Sequence, residues 1–66
     1  MKIIKIDNIT IQCIPDGKKY SCYVVEHDLY FSAKVDEMII KKARFMVESK
    51  AKFLIEFPQY NVVHLN

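Results

Sequence analysis

Apolar and polar positions alternate from the first residues. Ile4, Ile6, Ile9 and Ile11 make the amino-terminal stretch strongly β-prone, because β-branched side chains suit a pleated, half-buried surface. Asp7-Asn8 interrupts it, either as a two-residue hairpin turn or as a bulge within one long strand. Pro15-Asp16-Gly17-Lys18 is the plainest turn: Pro presets φ and Gly tolerates a positive φ just after it. Before the turn, Ile9, Ile11 and Cys13 alternate with Thr10 and Gln12. After it, Tyr20, Cys22 and Val24 alternate with Ser21, Tyr23 and Val25. Matching the faces places Ile14 opposite Lys19. Cys13 then meets Tyr20, Ile11 meets Cys22 and Ile9 meets Val24, with Thr10 against Tyr23 and Gln12 against Ser21 on the other face. A slip of one residue sets Ile11 against Ser21 and Cys13 against Lys19 and spoils the apolar face. Pro-Asp-Gly also suits a three-residue loop with a glycine bulge, which is able to absorb that conflict.

His27-Asp28 breaks the chain again, and Leu29-Tyr30-Phe31-Ser32-Ala33 reads as a further β-segment. Asp36 and Glu37 suit the first turn of a helix, with Ser32 as the nearest capping side chain. At helical spacing Val35, Ile39, Ala43, Met46 and Val47 share one face, with Ile40 at its margin. Glu37, Lys41, Arg44, Glu48 and Lys52 take the other. Lys50 falls within the apolar stripe, where an unpartnered ammonium is costly, so the helix is expected to end near Ser49 or Lys50. Phe53, Ile55 and Phe57 then alternate as a strand, Pro58-Gln59 turns the chain, and Tyr60-Asn61-Val62-Val63-His64-Leu65 makes a last strand. The pattern predicts a single α+β domain over residues 1–66: an antiparallel β-sheet with a single α-helix packed on one face, in the order β-β-β-α-β-(β).

Composition narrows the function more than the fold. With 66 residues, 52% hydrophobic, the chain is not of the disordered class. Its two cysteines are too few for a disulfide-dense miniprotein. A core of this size supplies only a few kcal/mol of net stability, which leaves little scaffold for an elaborate catalytic cleft. Ten Lys+Arg against eight Asp+Glu gives +2, less basic than dedicated nucleic-acid binders and far from an acidic mimic. Met1-Lys2-Ile3-Ile4-Lys5 lacks the apolar core of a signal peptide, and no apolar run exceeds four residues. The expectation is a cytoplasmic protein with reduced thiols and no membrane association.

Chemistry-bearing residues are sparse. In the expected register Cys13 and Cys22 lie diagonally across two strands, too far apart for an easy disulfide, and read as small buried hydrophobes. Cys13, Cys22, His27 and His64 lack the spacing of a zinc site. One glycine in the whole chain leaves no phosphate-cradling loop and no nucleophile elbow. Asp36-Glu37 point about 100° apart on a helix and serve its dipole. No catalytic, cofactor or metal site is expected, and the protein is read as non-enzymatic.

The surplus lies elsewhere. Lys34, Lys41, Lys42, Arg44, Lys50 and Lys52 outnumber Asp36, Glu37 and Glu48, leaving this region at +3. Glu37-Lys41 is a favourable i,i+4 pair. Met38 and Phe45 stand two turns apart on the flank away from the main stripe. They are either the margin of a wide core or an exposed apolar strip. Tyr20, Tyr23, Tyr30, Phe31 and Tyr60 are aromatic groups suited to an interface. The partner-binding residues expected are Met38, Phe45, Lys41, Lys42, Tyr23 and Tyr30, facing a protein partner. Association with a second copy through a sheet edge is a further route, and a nucleic-acid contact through the basic helix face the runner-up.

From Lys19 to about Glu48 the chain resembles the HicB-type antitoxin fold. The matching features are the strand Tyr20-Ser21-Cys22-Tyr23-Val24-Val25, the short acidic link Glu26-His27-Asp28, and a helix containing Ala43. Leu29-Tyr30-Phe31 stands where that family has Gly and Pro. Such antitoxins often add a DNA-binding segment, for which 66 residues leave no room. The resemblance implies a protein that binds and blocks another protein, and an antitoxin or a phage- or mobile-element-like inhibitor fits the size.

Overall fold

A computed structural model describes residues 1–57. Four strands, β1 (Lys2–Ile6), β2 (Ile9–Asp16), β3 (Lys19–Val24) and β4 (Leu29–Ala33), form one antiparallel sheet in sequential order. One helix, α1 (Asp36–Glu56), packs on one face. The α+β class is as the pattern predicts, with the helix following the fourth strand.

The extra strand comes from Asp7-Asn8, which is a hairpin turn and not a bulge. Both residues have positive φ (49° and 63°), the signature of a type I′ turn, and Ile6 closes against Ile9. Asp and Asn tolerate this region because their short side chains bond locally.

The second hairpin corrects the expected register by two residues. The loop is Gly17-Lys18 alone, with φ of 67° at Gly17, and Asp16 closes against Lys19. Pro15 and Asp16 therefore belong to β2. In a two-residue hairpin the closing pair is hydrogen-bonded, so the next pair, Pro15 with Tyr20, is not. The missing N–H of Pro15 points away from β3, beyond the reach of β1, which begins opposite Cys13. A shift of two keeps every face: Ile11 meets Val24, Gln12 meets Tyr23 and Ile14 meets Ser21.

The same shift sets Cys13 directly opposite Cys22, not diagonally. Both are free and buried within the core formed by Ile9, Ile11, Val24, Ala33, Ile39 and Ala43. Burial, followed by its neighbour Cys13, pushes the Cys22 thiol up to about 11.

Between β3 and β4 the chain makes one turn of 3-10 helix (Val25–His27) and leaves through Asp28 at φ 52°. Glu26 completes the sheet at this point. Its carboxylate accepts from the Thr10 backbone N–H at 2.7 Å and from the Thr10 hydroxyl at 2.8 Å, where β3 has already ended. These bonds hold the Glu26 carboxyl below its usual range, the backbone one first.

α1 starts at Asp36 with Val35 at its cap. Ser32 lies in β4 opposite Ser21 and does not cap it. Ile39 and Ala43 are buried, and Ile40, Met46 and Val47 half-buried. Lys2 pairs with Asp36, and Arg44 with Asp7, so two ion pairs tie the helix to β1 and its turn. The helix does not end at Lys50. That side chain is half-buried on the core stripe, and its Nζ donates to the His27 carbonyl at 2.7 Å. With the ammonium satisfied at the end of the 3-10 turn, the helical run continues. Phe53 and Ile55, expected in a strand, are helical, and Phe57 follows at the cap. Phe57 precedes a proline, which disfavours helical backbone, and it leaves the helix at φ −126°. The strand expected over Tyr60–Leu65 lies outside the described residues.

Three outcomes follow. Lys50→Met keeps the aliphatic stem and loses the bond to His27. It should cost about 1 kcal/mol in urea unfolding, whereas exposed Lys52→Met costs nothing measurable. Glu26→Gln should lower the urea midpoint near neutral pH. A lowered carboxyl stabilises above its unfolded pKa and loses that contribution as pH falls through its folded value, so the gap between the two proteins should close in acid. A thiol reagent at about pH 8 should leave both cysteines unreacted in the native protein and modify both in denaturant.

Candidate functional site

The helix seats Ile39 and Ala43 over the centre of the sheet, and this fixes what its flanks present. Residues one turn apart on the β4 side, Met38, Lys41, Lys42 and Phe45, fall together with Met46 around a shallow apolar groove of about 530 Å³. Phe45 is 70% exposed and Met38 41% exposed. Neither is core, which resolves the two readings of this pair in favour of an exposed strip. Met46, half-buried between strip and core, belongs to the groove although the periodicity places it on the core face. Its position, four residues after Lys42, is the signal that places it there.

A second hollow continues the groove along the helix. It is lined by Lys19, Ser32, Ala33, Lys34, Met38 and Lys42, so Met38 and Lys42 belong to both. Together they form one furrow between the helix flank and the end of β4. Lysines 19, 34, 41 and 42 border it, and no carboxylate lines either hollow. Lys42 spans the furrow: its Nζ donates to the backbone carbonyl of Ser32 at 2.8 Å.

Tyr23 and Tyr30, the aromatic members of the expected contact set, lie on the open face of the sheet, where strand alternation also puts Tyr23. They are directly opposed on β3 and β4, and their rings stack with centroids 4.5 Å apart. The Tyr23 hydroxyl donates to Asp28 Oδ1 at 3.1 Å, which is the first cause of its raised pKa. Tyr30 is 70% exposed. Ile3 shares a cross-strand row with Gln12, Tyr23 and Tyr30 on this open face. The six expected contact residues thus form two groups, one on each face of the sheet beside β4.

Among the described residues no three of His, Cys, Asp and Glu come together in a metal-binding group. His27 sits at the 3-10 turn, away from the core cysteines. No helix among the described residues is long and apolar enough to cross a membrane. Compared with protein-family models, with curated proteins and with solved structures, the chain matches none.

Proposed function

We propose that this protein is a non-enzymatic binding module of the inhibitor or antitoxin kind, which blocks a partner protein by covering part of its surface with the furrow beside β4. One observation carries the reading: Phe45 stands largely exposed on an apolar groove bordered by lysines, with no carboxylate in its lining. An exposed aromatic anchor beside charge is the composition of an interface centre and its rim. A soluble domain gains nothing in its own stability from leaving such a ring in water. The cytoplasm, where phage- and mobile-element-type inhibitors meet their targets, is the compartment this reading implies.

A second reading draws on the same lysines, which also suit phosphates. It ranks below the first because phosphate binding makes no use of the apolar floor formed by Met38, Phe45 and Met46.

The test pairs two substitutions. Phe45→Asp should abolish capture of the partner from host extract, while Ile14→Asp, on the open face of the sheet, retains it. Both residues are exposed, so circular dichroism and the urea midpoint should be unchanged within about 0.5 kcal/mol. If Phe45→Asp unfolds the protein or leaves capture intact, the groove is not the contact. Steep loss of binding to a nucleic acid between low and moderate salt would favour the second reading.

A further inference from the structure

We propose that the partner's contact segment is an extended strand, apolar on one side and acidic at its ends, that adds to β4 as a fifth strand of the sheet. This rests on the binding reading above and specifies its partner.

The backbone argument comes from the hairpin geometry. Asp16 and Lys19 close the second hairpin with a hydrogen-bonded pair, and the alternation from there gives Tyr23 its bonds to β2. Tyr23 therefore faces Tyr30 as a non-bonded pair, as does Ser21 with Ser32. The N–H and C=O of Tyr30 and Ser32 consequently point outward from the sheet. The bond from Lys42 Nζ to the Ser32 carbonyl agrees with this orientation. Lys42 occupies one of the outward acceptors, and the others on the edge face outward.

The two edges of the sheet differ in chemistry. β1 carries Lys2 and Lys5, and charged side chains, lysine above all, blunt an edge against pairing. β4 is Leu29-Tyr30-Phe31-Ser32-Ala33, with no charge and no proline. An incoming antiparallel strand shares faces with its neighbour, so residues set opposite Leu29, Phe31 and Ala33 point to the helix side, toward Met38 and Phe45. Residues set opposite Tyr30 reach its exposed ring on the other face. One strand laid on β4 thus meets Tyr30 on one face and, on the other, the hollow that Met38 and Lys42 join to Phe45, which no ligand confined to one face can do.

Charge selects the occupant. Lysines 19, 34, 41 and 42 border the furrow with no carboxylate among its lining. A second copy paired two-fold through β4 would set the helix flank that bears Lys41 and Lys42 against the same flank of its partner. A segment bearing Asp or Glu would neutralise these lysines, and a carboxylate near Lys42 would replace the Ser32 carbonyl as its acceptor.

A phage-displayed library of random heptapeptides, selected on the immobilised protein, tests this. Enriched sequences should alternate apolar residues and carry Asp or Glu. The best peptide, labelled and titrated by fluorescence anisotropy, should lose roughly tenfold or more in affinity to Ser32→Pro and to Phe45→Asp. Pro at residue 32 removes an outward N–H and leaves the bonds to β3 in place. N-methylation of the peptide gives a readout that leaves the protein unchanged: methylation at one alternating set of positions should abolish binding and at the other set should not. Enrichment of nothing, or of basic or non-alternating sequences, overturns strand addition. Loss with Phe45→Asp but not with Ser32→Pro or either methylated set overturns it while the binding module stands. Indifference to Phe45→Asp removes both. A dimer by light scattering that Ser32→Pro disperses assigns the edge to a second copy and overturns the proposal.

Discussion

The seating of Ile39 and Ala43 over the central strands decides the rest of this structure. Beneath them lie Ile11, Cys13, Cys22 and Val24, and of the eight buried positions among the described residues four, Cys13, Cys22, Ala33 and Ala43, carry small side chains. Small residues on both sides let a helix backbone come close to a sheet, and close approach fixes its rotation. Once Ala43 points down, Phe45 must point away from the sheet and Lys42 toward its β4 edge. The exposed furrow is therefore a geometric consequence of where the core is small. Enlarging Ala43 would lift the helix and disturb the furrow as well as the core.

Lysines near the core are here hydrogen-bond donors to backbone, not only surface charge. Lys42 reaches the Ser32 carbonyl and Lys50 the His27 carbonyl, one on the edge of β4 and the other at the end of the 3-10 turn. A long aliphatic stem crosses apolar ground and delivers its ammonium to an acceptor the sheet leaves unused. Glu26 does the complementary task on the other side of the same turn, accepting the Thr10 N–H where β3 has stopped. The irregular Val25–Asp28 connection is thus held to β2 by its own Glu26, which accepts from Thr10, and to the helix by Lys50. That is how a short sheet ends without orphaned backbone groups.

The parts that could be read from sequence are those governed by local periodicity. Alternation locates the strands of the sheet, although it also reads Phe53 and Ile55, which are helical, as a strand, and the stripe containing Ile39, Ala43 and Val47 locates the helix and its buried face. The faces of the second hairpin survive the corrected register because a shift of two residues leaves them unchanged, whereas the pairing of Cys13 with Cys22 does not survive it. The errors share one cause: a local rule was applied where a distant partner decides. Pro15 reads as a turn former until one sees that β1 is too short to need its N–H. Lys50 reads as a helix terminator until the His27 carbonyl, twenty-three residues earlier in the chain, is placed above it. The candidate site was half legible. Met38, Phe45, Lys41 and Lys42 follow from helical spacing and the open face of Tyr23 from strand alternation, but the stacking of Tyr23 on Tyr30 and the furrow beside β4 depend on how the strands and the helix come together.

The division of these residues between two faces also explains why so small a chain can carry an excess of apolar side chains without a larger core. A four-stranded sheet under one helix has one covered face, one open face and two edges. The covered face takes Ile9, Ile11, Val24 and the cysteines. The open face takes the stacked tyrosines, whose hydroxyls keep one end in water or on Asp28. Met38 and Phe45 belong to neither face and stand beside the edge that lacks charge. On β1, by contrast, Lys2 and Lys5 guard the backbone, and the ion pairs of Lys2 with Asp36 and Arg44 with Asp7 bind that side of the helix to the sheet. One side of the molecule is thus closed by charge and the other left apolar and bordered by lysine, an asymmetry that internal stability alone does not require.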